Sequence, residues 1–440
     1  MPPSAIPQFA VPSHAMHRRY TIVTQSAGCG DEDAKLADCK SKPPTVAVVM
    51  ATFNRANLIF EAIESLLGQT RPPDEFIVIN DGSTDDTASV VRRYGDRIKY
   101  LEKANGGKPA ALNLVLPQVE STYTWIFDDD DVALPHALEA HLAFLSEHPW
   151  CDFTYSTNYV FSGEFSEEAI KRSQLKTFPD ASAERFLLWV MESLSLRSLI
   201  PGMLIPTDCY RAVGGFDETL LRCEDVDILL RFARRFRAGF LNQPTFAERL
   251  HRGARGPRSE RHSDADRYQV FRQYKRQIFG RLRDSLGLEE YLGKGPVSPG
   301  ELRSLDPMEE RQALLQRGVV MAIHGLFPEA VDDLQGYADQ LGSRPSAPAG
   351  SERDLISKST YVHDPDAPPP IRYYRVVGAL CRGRSEVFNA AARGLYWSIA
   401  RAVRRRHLSL VLRLLAAAVA MAAAYAGVPA PERKRHHGYS

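Results

Sequence analysis

The sequence predicts an α/β fold, a mostly parallel sheet flanked by helices, with an α-helical C-terminal extension. Two observations carry this expectation. Between Thr45 and Leu101, short apolar runs alternate with polar breaks and helical patterns in the order β-loop-α-β-loop-α-β. That order marks parallel strands joined by right-handed crossovers. Beyond Pro296 the texture changes, and Ser298 to Leu341 reads as wholly helical. A third feature points to chemistry. Four consecutive aspartates, Asp128 to Asp131, follow the apolar run Tyr123-Thr124-Trp125-Ile126-Phe127.

The elements follow in order. Thr45 to Met50 (TVAVVM) is a valine-rich strand, broken by Ala51-Thr52-Phe53-Asn54-Arg55. Leu58, Ile59, Ala62, Ile63, Leu66 and Leu67 recur at helical spacing, and Gly68 with Pro72-Pro73 ends that helix. Phe76 to Ile79 is a second strand, broken by Asn80-Asp81-Gly82-Ser83-Thr84-Asp85-Asp86. A helix to about Tyr94 and a strand over Ile98 to Leu101 come next. The run before the aspartates reads as a buried strand. After them, Ala137, Leu138, His141, Leu142 and Leu145 give a helix that Asp131 is placed to start.

Ligands of open α/β sheets bind at the carboxyl ends of strands. Three polar loops fall there, at Thr52 to Arg55, Asn80 to Asp86 and Asp128 to Asp131. Each alone is explained by turn chemistry. Three at equivalent strand ends describe a site. Four carboxylates at one strand tip repel, and leaving them unpaired is costly. A positive charge is expected among them, and hard oxygen donors suit Mg²⁺ or Mn²⁺.

Composition bounds the rest. The chain has 440 residues, with 55 Lys and Arg against 54 Asp and Glu. Near-neutral charge implies no whole-molecule attraction to nucleic acid. The six cysteines, none at C-x-x-C spacing, fit neither a zinc site nor a disulfide framework; they fit a reducing, cytoplasmic compartment. Residues 1–43 lack an apolar core of signal-peptide length and are expected to be a flexible leader. The α/β domain is expected over 44–290, a helical region over 298–342 and a Pro-, Ser- and Asp-rich linker over 343–372. Ala322 to Leu341 is expected as one helix. A basic, alanine-rich helical segment occupies 373–440. Within it, Leu408 to Val428 is apolar and flanked by Arg401 to His407 and by Arg433-Lys434-Arg435. Three states stay open for it: packed within the protein, lying peripherally on the inner face of a membrane, or spanning it.

In this order and at these spacings the motifs resemble family 2 glycosyltransferases of the GT-A fold. The resemblance covers about Pro44 to Arg258. It rests on Ala51 to Arg55, Ser65-Leu66-Leu67-Gly68-Gln69-Thr70, Asn80 to Asp85, the aspartates with Pro135, Gly214-Gly215-Phe216-Asp217-Glu218, and Glu224-Asp225. It implies an inverting enzyme that moves a sugar from a nucleotide-sugar donor, a UDP-sugar by expectation, to a hydroxyl acceptor on a glycan, lipid or protein. By the same resemblance Asp128 and Asp130 are the D-x-D acids, with Asp130 on the metal and Asp128 at the ribose or the metal's water shell. Asp129 joins the nucleotide-sugar set. Thr52, Asn54 and Arg55 lie against the base, and Asp81 accepts a hydrogen bond from it. Lys108, after Gly106-Gly107, faces the diphosphate; His251 binds metal or diphosphate; Asp225 is the general base, with Glu224 and Asp227 raising its proton affinity. Asn80 stands where relatives carry an acid and receives no role. The Gln-x-x-Arg-Trp motif of processive synthases is absent, so transfer of one or a few sugars is expected. A sugar nucleotidyltransferase and a non-catalytic binding or scaffold protein are the alternatives. The first is disfavoured because no glycine-rich loop follows the first strand.

Overall fold

The computed structural model describes residues 43–181, 183–193, 200–250, 267–296, 304–341 and 350–428. In chain order the strands and helices begin with β1 (Val46–Thr52), α1 (Ile59–Leu67), β2 (Glu75–Asn80), α2 (Thr87–Arg92), β3 (Lys99–Glu102) and α3 (Lys108–Val115). Then come β4 (Tyr123–Ile126), β5 (Val132–Ala133), α4 (Ala137–Glu147), β6 (Phe153–Ser162), α5 (Glu167–Lys171) and β7 (Gln174–Lys176). After these follow α6 (Phe186–Glu192), β8 (Met203–Pro206), α7 (Thr207–Ala212), α8 (Glu224–Arg235) and β9 (Ala238–Leu250). The helical part comprises α9 (Arg267–Ser285), α10 (Pro307–Ile323), α11 (Phe327–Gln340), α12 (Gly350–Thr360), α13 (Ile371–Leu380), α14 (Ser385–Arg404) and α15 (Leu408–Tyr425).

The chain forms two compact units. The first draws on Met1–Asp180, Ser198–Leu221 and Ala238–Arg261, the second on Ala181–Arg197, Arg222–Arg237 and His262–Ser440. The expected boundary near residue 290 therefore does not describe the packing, because α6 and α8 belong to the second unit.

All nine described strands lie in the first unit, in the order β3-β2-β1-β4-β8-β6-β9-β5, with β7 on β6. β3, β2, β1 and β4 run parallel. Beyond β4 the sheet is mixed, with β8 antiparallel to both β4 and β6 and β9 parallel to β6. The expected α/β class and helical extension are present. Valine-rich β1 is buried over Val46 to Met50, as a strand covered on both faces must be. Its core includes Ile59, Ile63 and Leu66 of α1, Phe76 and Val78 of β2, and Trp125 and Phe127, whose rings meet edge-to-face at 5.3 Å. The Trp125 indole N–H donates to the Pro201 carbonyl at 2.8 Å, which satisfies its buried polar end.

Strand order fixes where a ligand can enter. The chain leaves β1 towards β2 and β3, then returns to β4 on the other side of β1. This reversal is a topological switch point, the place where open α/β sheets take their ligands. Register sets the depth: Thr52 pairs with Asn80 and Val49 with Ile126. The three polar loops thus leave the sheet side by side.

The second unit is helical. Asp306 caps α10 by accepting bonds from the Met308 and Glu309 N–H groups, both at 2.8 Å, and Glu309 returns a bond to the Asp306 N–H. Buried Asp333 is held by Arg317 at 2.6 Å and Arg283 at 3.1 Å. His324 stacks on Phe279 with centroids 3.4 Å apart and shares a hydrogen bond with the Met191 carbonyl at 2.7 Å.

Two expectations need correction. Ala322 to Leu341 is not one helix. Gly325, at φ 78°, breaks it, and Pro328 opens α11. The stretch expected as a linker contains α12, with Leu355 and Ile356 buried, so apolar residues among its polar ones are enough to dock it. The leader, apart from residue 43, lies outside the described residues.

Candidate functional site

The site is built at the ends of β1, β2 and β4. After β1 the chain turns through Asn54, a non-glycine residue at φ 54°. Asparagine tolerates this left-handed conformation better than most. The turn is tied to the loop after β2: the Asn54 N–H donates to Ser83 Oγ at 2.9 Å, and Asn54 Oδ1 accepts from the Thr84 N–H at 2.8 Å. The Arg55 N–H donates to Thr87 Oγ1 at 2.9 Å. Asn80 supports the same loop by accepting the Ser83 N–H and donating to the Tyr100 hydroxyl.

Asp81 is almost fully buried, and four donors meet its carboxylate. Lys103 Nζ (2.7 Å) and the Gly106 N–H (2.9 Å) reach Oδ1. Asn105 Nδ2 (3.0 Å) and the Gly107 N–H (2.7 Å) reach Oδ2. A carboxylate offers about four lone-pair sites, so these donors fill it. Asp81 thereby holds the glycine loop over the end of β2, and a nucleobase N–H must displace one of them to reach it. Both the Asn80–Asp86 loop and the Gly106-Gly107 loop need a glycine. Gly82 lies at φ 75°, where an added Cβ would stand 2.7 Å from the Asn105 nitrogen, and Gly107 lies at φ 93°. Gly107 immediately precedes α3, whose first residue, Lys108, pairs with Asp128. Asn113, further along α3, fastens the Gly-Gly-Phe-Asp turn: it accepts from the Phe216 N–H and donates to the Phe216 carbonyl, both at 2.8 Å.

The four aspartates divide in two. One carboxylate oxygen each from Asp128, Asp130 and Asp131 lies within 4.8 Å of the others, within reach of one cation. Asp129 is separate from that group. It is buried beside Thr52 and 3.5 Å from Arg55, which also approaches Asp130 at 4.0 Å. Burial raises the Asp129 pKa to about 6; Arg55 opposes this, Asp130 and Asp128 add to it, and the Thr52 hydroxyl favours the charged form. Asp131 is pushed well above the usual carboxylate range, first by burial and then by Asp130 and Asp128. Three hard oxygen donors around this much confined negative charge fit Mg²⁺ or Mn²⁺.

The positive charge expected among the acids comes from the protein as well. Arg55 and Lys108 are two sources. The third, which sequence reasoning missed, is Arg249. β5 pairs antiparallel with β9, with Val132 opposite Ala247, so Arg249 arrives beside the acids. Its N–H donates to Asp131 Oδ1 at 2.9 Å, and its Nε donates to the Asp130 carbonyl at 2.9 Å. Its remaining nitrogens bond the Gly163 carbonyl and the Glu61 carboxylate, and the guanidinium lies over Phe161 at 4.6 Å. Only 4% of the residue is exposed. A faint signal existed in an arginine within an apolar strand two positions before His251. Asp131 was also expected only to start a helix, yet its carboxylate joins the triad.

The Ser-Leu-Leu-Gly-Gln-Thr motif acquires a physical reason here. Ser65 Oγ accepts from the Ala133 N–H at 3.0 Å. Gln69 donates to the Leu134 carbonyl at 2.8 Å and accepts from the Leu138 N–H at 3.1 Å. Both pin the backbone that leaves the acids.

Thr52, Asn54, Arg55, Asp81, Lys108 and the four aspartates are thus gathered in the first unit. Asp225 sits in the second unit, in the first turn of α8. Cys223 before it is left-handed, at φ 59°, a conformation that costs energy for a cysteine and clusters at functional sites. Asp227, in the same turn, is paired with Arg231 at 2.6 Å. His251 and the arginines after it lie outside the described residues.

The family described as glycosyl transferase family 2 matches residues 47–200. An uncharacterized glycosyltransferase of Rickettsia prowazekii (strain Madrid E) is 32% identical over 210 residues, which cover 47% of this chain and 64% of the relative. The putative glycosyltransferase EpsE of Bacillus subtilis (strain 168) is 30% identical over 208 residues, 45% of this chain and 68% of its own length. Among solved structures, Staphylococcus aureus TarS 1–349 in complex with UDP-GlcNAc aligns with a TM-score of 0.47 at 17% identity, over 79% of this chain and 89% of that one. The chain belongs to glycosyltransferase family 2.

Proposed function

We propose that the protein transfers a glycosyl group from a nucleoside-diphosphate sugar, a UDP-sugar first, to a hydroxyl acceptor, with inversion at the anomeric carbon. The observation that carries this reading is the Asp128, Asp130 and Asp131 carboxylates at the carboxyl ends of β1 and β4, flanked by Arg55 and Lys108. The names of the relatives, which are glycosyltransferases, support it.

The three carboxylates would hold Mn²⁺ or Mg²⁺, and the ion would stabilise negative charge on the leaving diphosphate. Lys108 and the backbone N–H groups at the start of α3 add positive potential there. Arg55 aligns Asp129 and Asp130, and the Asn54 turn shapes the surface for the nucleoside. The acceptor hydroxyl gives its proton to the Asp225 carboxylate as its oxygen attacks the anomeric carbon. The bond from that carbon to the diphosphate oxygen breaks, and the nucleoside diphosphate leaves with the electron pair. A single displacement of this kind inverts the centre. The four described cysteines are buried thiols outside any disulfide, consistent with work in a reducing cytoplasm. The acceptor class proposed is a glycan or lipid-linked sugar of the cell envelope.

A panel of nucleotide sugars with Mn²⁺, scored by diphosphate release in the parent and in Asp225→Asn, tests this. Release expected with one donor class falls by about 10²–10⁴-fold in the variant while donor binding persists. Full activity in Asp225→Asn sinks the base assignment. A nucleotide-sugar product formed from nucleoside triphosphate and sugar phosphate sinks the transferase reading.

A further inference from the structure

The second unit exposes an apolar surface that the transfer reaction does not use. α15 carries two apolar stripes. Leu410, Leu414, Ala417, Met421 and Ala424, at i, i+4, i+7, i+11 and i+14, are buried. They pack α15 into the unit so closely that a Cβ on Gly378 of α13 would stand 2.2 Å from the Met421 carbonyl oxygen. The other stripe repeats the same spacing from Leu408. Leu408 is 71% exposed, Leu412 60%, Leu415 47% and Val419 70%. Neighbouring α14 adds Tyr396 at 61%, Trp397 at 50% and Val403 at 57%. An exposed apolar stripe on a folded unit marks an interaction site.

Its charge selects the partner. From Val387 to Val428 the chain has no Asp or Glu, and it has six arginines: 393, 401, 404, 405, 406 and 413. Of these, Arg393, Arg404, Arg405, Arg406 and Arg413 are exposed. Arg404 to Arg406 cluster with exposed His407 at the turn joining α14 to α15, where Arg406 takes φ 56°. Leucine, valine, tryptophan and tyrosine beside a basic rim are the composition of a surface lying in a lipid interface.

We infer that the α14–α15 hairpin docks the protein on an anionic lipid bilayer, its exposed Leu408–Val419 stripe and Trp397 in the interface and Arg404–Arg406 on the headgroups. A second copy of the chain is a poorer occupant. A self-complementary contact brings the same acid-free, arginine-rich rim from each side, and like charges oppose it. A membrane span is poorer still, because one face of α15 is already committed to α13 and α14.

The test uses the full-length protein and vesicles of phosphatidylcholine alone or with roughly 30% phosphatidylglycerol, read by flotation. Binding to the anionic vesicles is expected, and it weakens as salt rises. The triple substitution Arg404→Glu, Arg405→Glu, Arg406→Glu lowers binding by about a hundredfold or more, since each basic residue adds around one decade or a little less. The matching lysine triple retains binding within a few-fold, which separates charge from misfolding. Leu412→Ser, Leu415→Ser, Val419→Ser together abolish flotation while diphosphate release to a soluble acceptor stays at parent level. No flotation with anionic vesicles overturns the inference. So does binding that is equal on neutral vesicles, or a dimer by light scattering that the serine triple dissolves.

Discussion

Arg249 is the residue on which the acid cluster most depends. In Arg249→Met the side chain keeps much of its apolar stem and loses its charge. The Glu61 carboxylate then loses its partner, and the Asp130 and Gly163 carbonyls lose their donors. Breaking a buried ion pair by removing one member costs about 3–5 kcal/mol, but the Glu61 side chain left behind is 31% exposed and water screens its charge, so about 2–3 kcal/mol is expected. For a unit of this size that lowers Tm by roughly 4–12 °C. The backbone N–H to Asp131 is untouched, so the variant loosens the acids without deleting one. A residue that orients metal ligands typically changes metal affinity by about 10–100-fold. Calorimetry gives the first quantity and Mn²⁺ titration the second. Adding Glu61→Gln to Arg249→Met should recover part of the stability, because it removes the stranded charge, and none of the metal affinity. A Tm within about 2 °C of the parent together with unchanged Mn²⁺ binding refutes the reasoning.

Two further predictions follow from buried groups. Asp81→Asn replaces one acceptor oxygen facing Lys103, Asn105 and two glycine N–H groups by a donor; it should weaken diphosphate binding alike for every nucleobase, measured by titration with UDP and GDP. Loss of discrimination between the bases at unchanged overall affinity would instead assign Asp81 to base recognition. His141 is fully buried against Thr154, and burial lowers its pKa from 6.5 to about 3. The unfolded chain takes up a proton below pH 6.5 that the folded chain refuses, so this contribution is present above pH 6.5 and is lost as pH falls towards 3. Relative to His141→Gln, the parent should lose about 1.4 kcal/mol per pH unit below 6.5, read by denaturant melts. A parent-to-variant difference that is constant from pH 7 to pH 5 contradicts this.

Much of the first unit was legible in the sequence because β1, β2 and β4 are short apolar runs that are almost wholly buried. β1, β2, β3 and β4 fall within two residues of the expected runs, and the three polar loops do meet at one edge. The mixed half of the sheet was not legible. β6 and β9 pair in parallel across a long separation, with two register irregularities that no local pattern announces. Arg249 was missed for the same reason, since its partners, Glu61 and Asp130, become neighbours only through the β5–β9 pairing. The role of Asp131 was obscured because a helix start and a cation site ask for the same residue. In the second unit, composition misled. Proline, serine and aspartate around residues 343–370 read as linker, yet a few well-spaced apolar residues dock α12. The three states left open for Leu408 to Val428 were indistinguishable by hydropathy, because its inner and outer stripes repeat with the same period. Burial shows that one stripe is packed into the second unit and the other is exposed.

The central claim is that Asp128, Asp130 and Asp131 form one cation site that receives a nucleoside diphosphate. Calorimetric titration of UDP into the parent and Asp130→Asn, each with and without Mn²⁺, tests it most directly. The account predicts binding in the parent that depends on Mn²⁺ and falls by at least about tenfold in the variant. Equal affinity in all four titrations would contradict it.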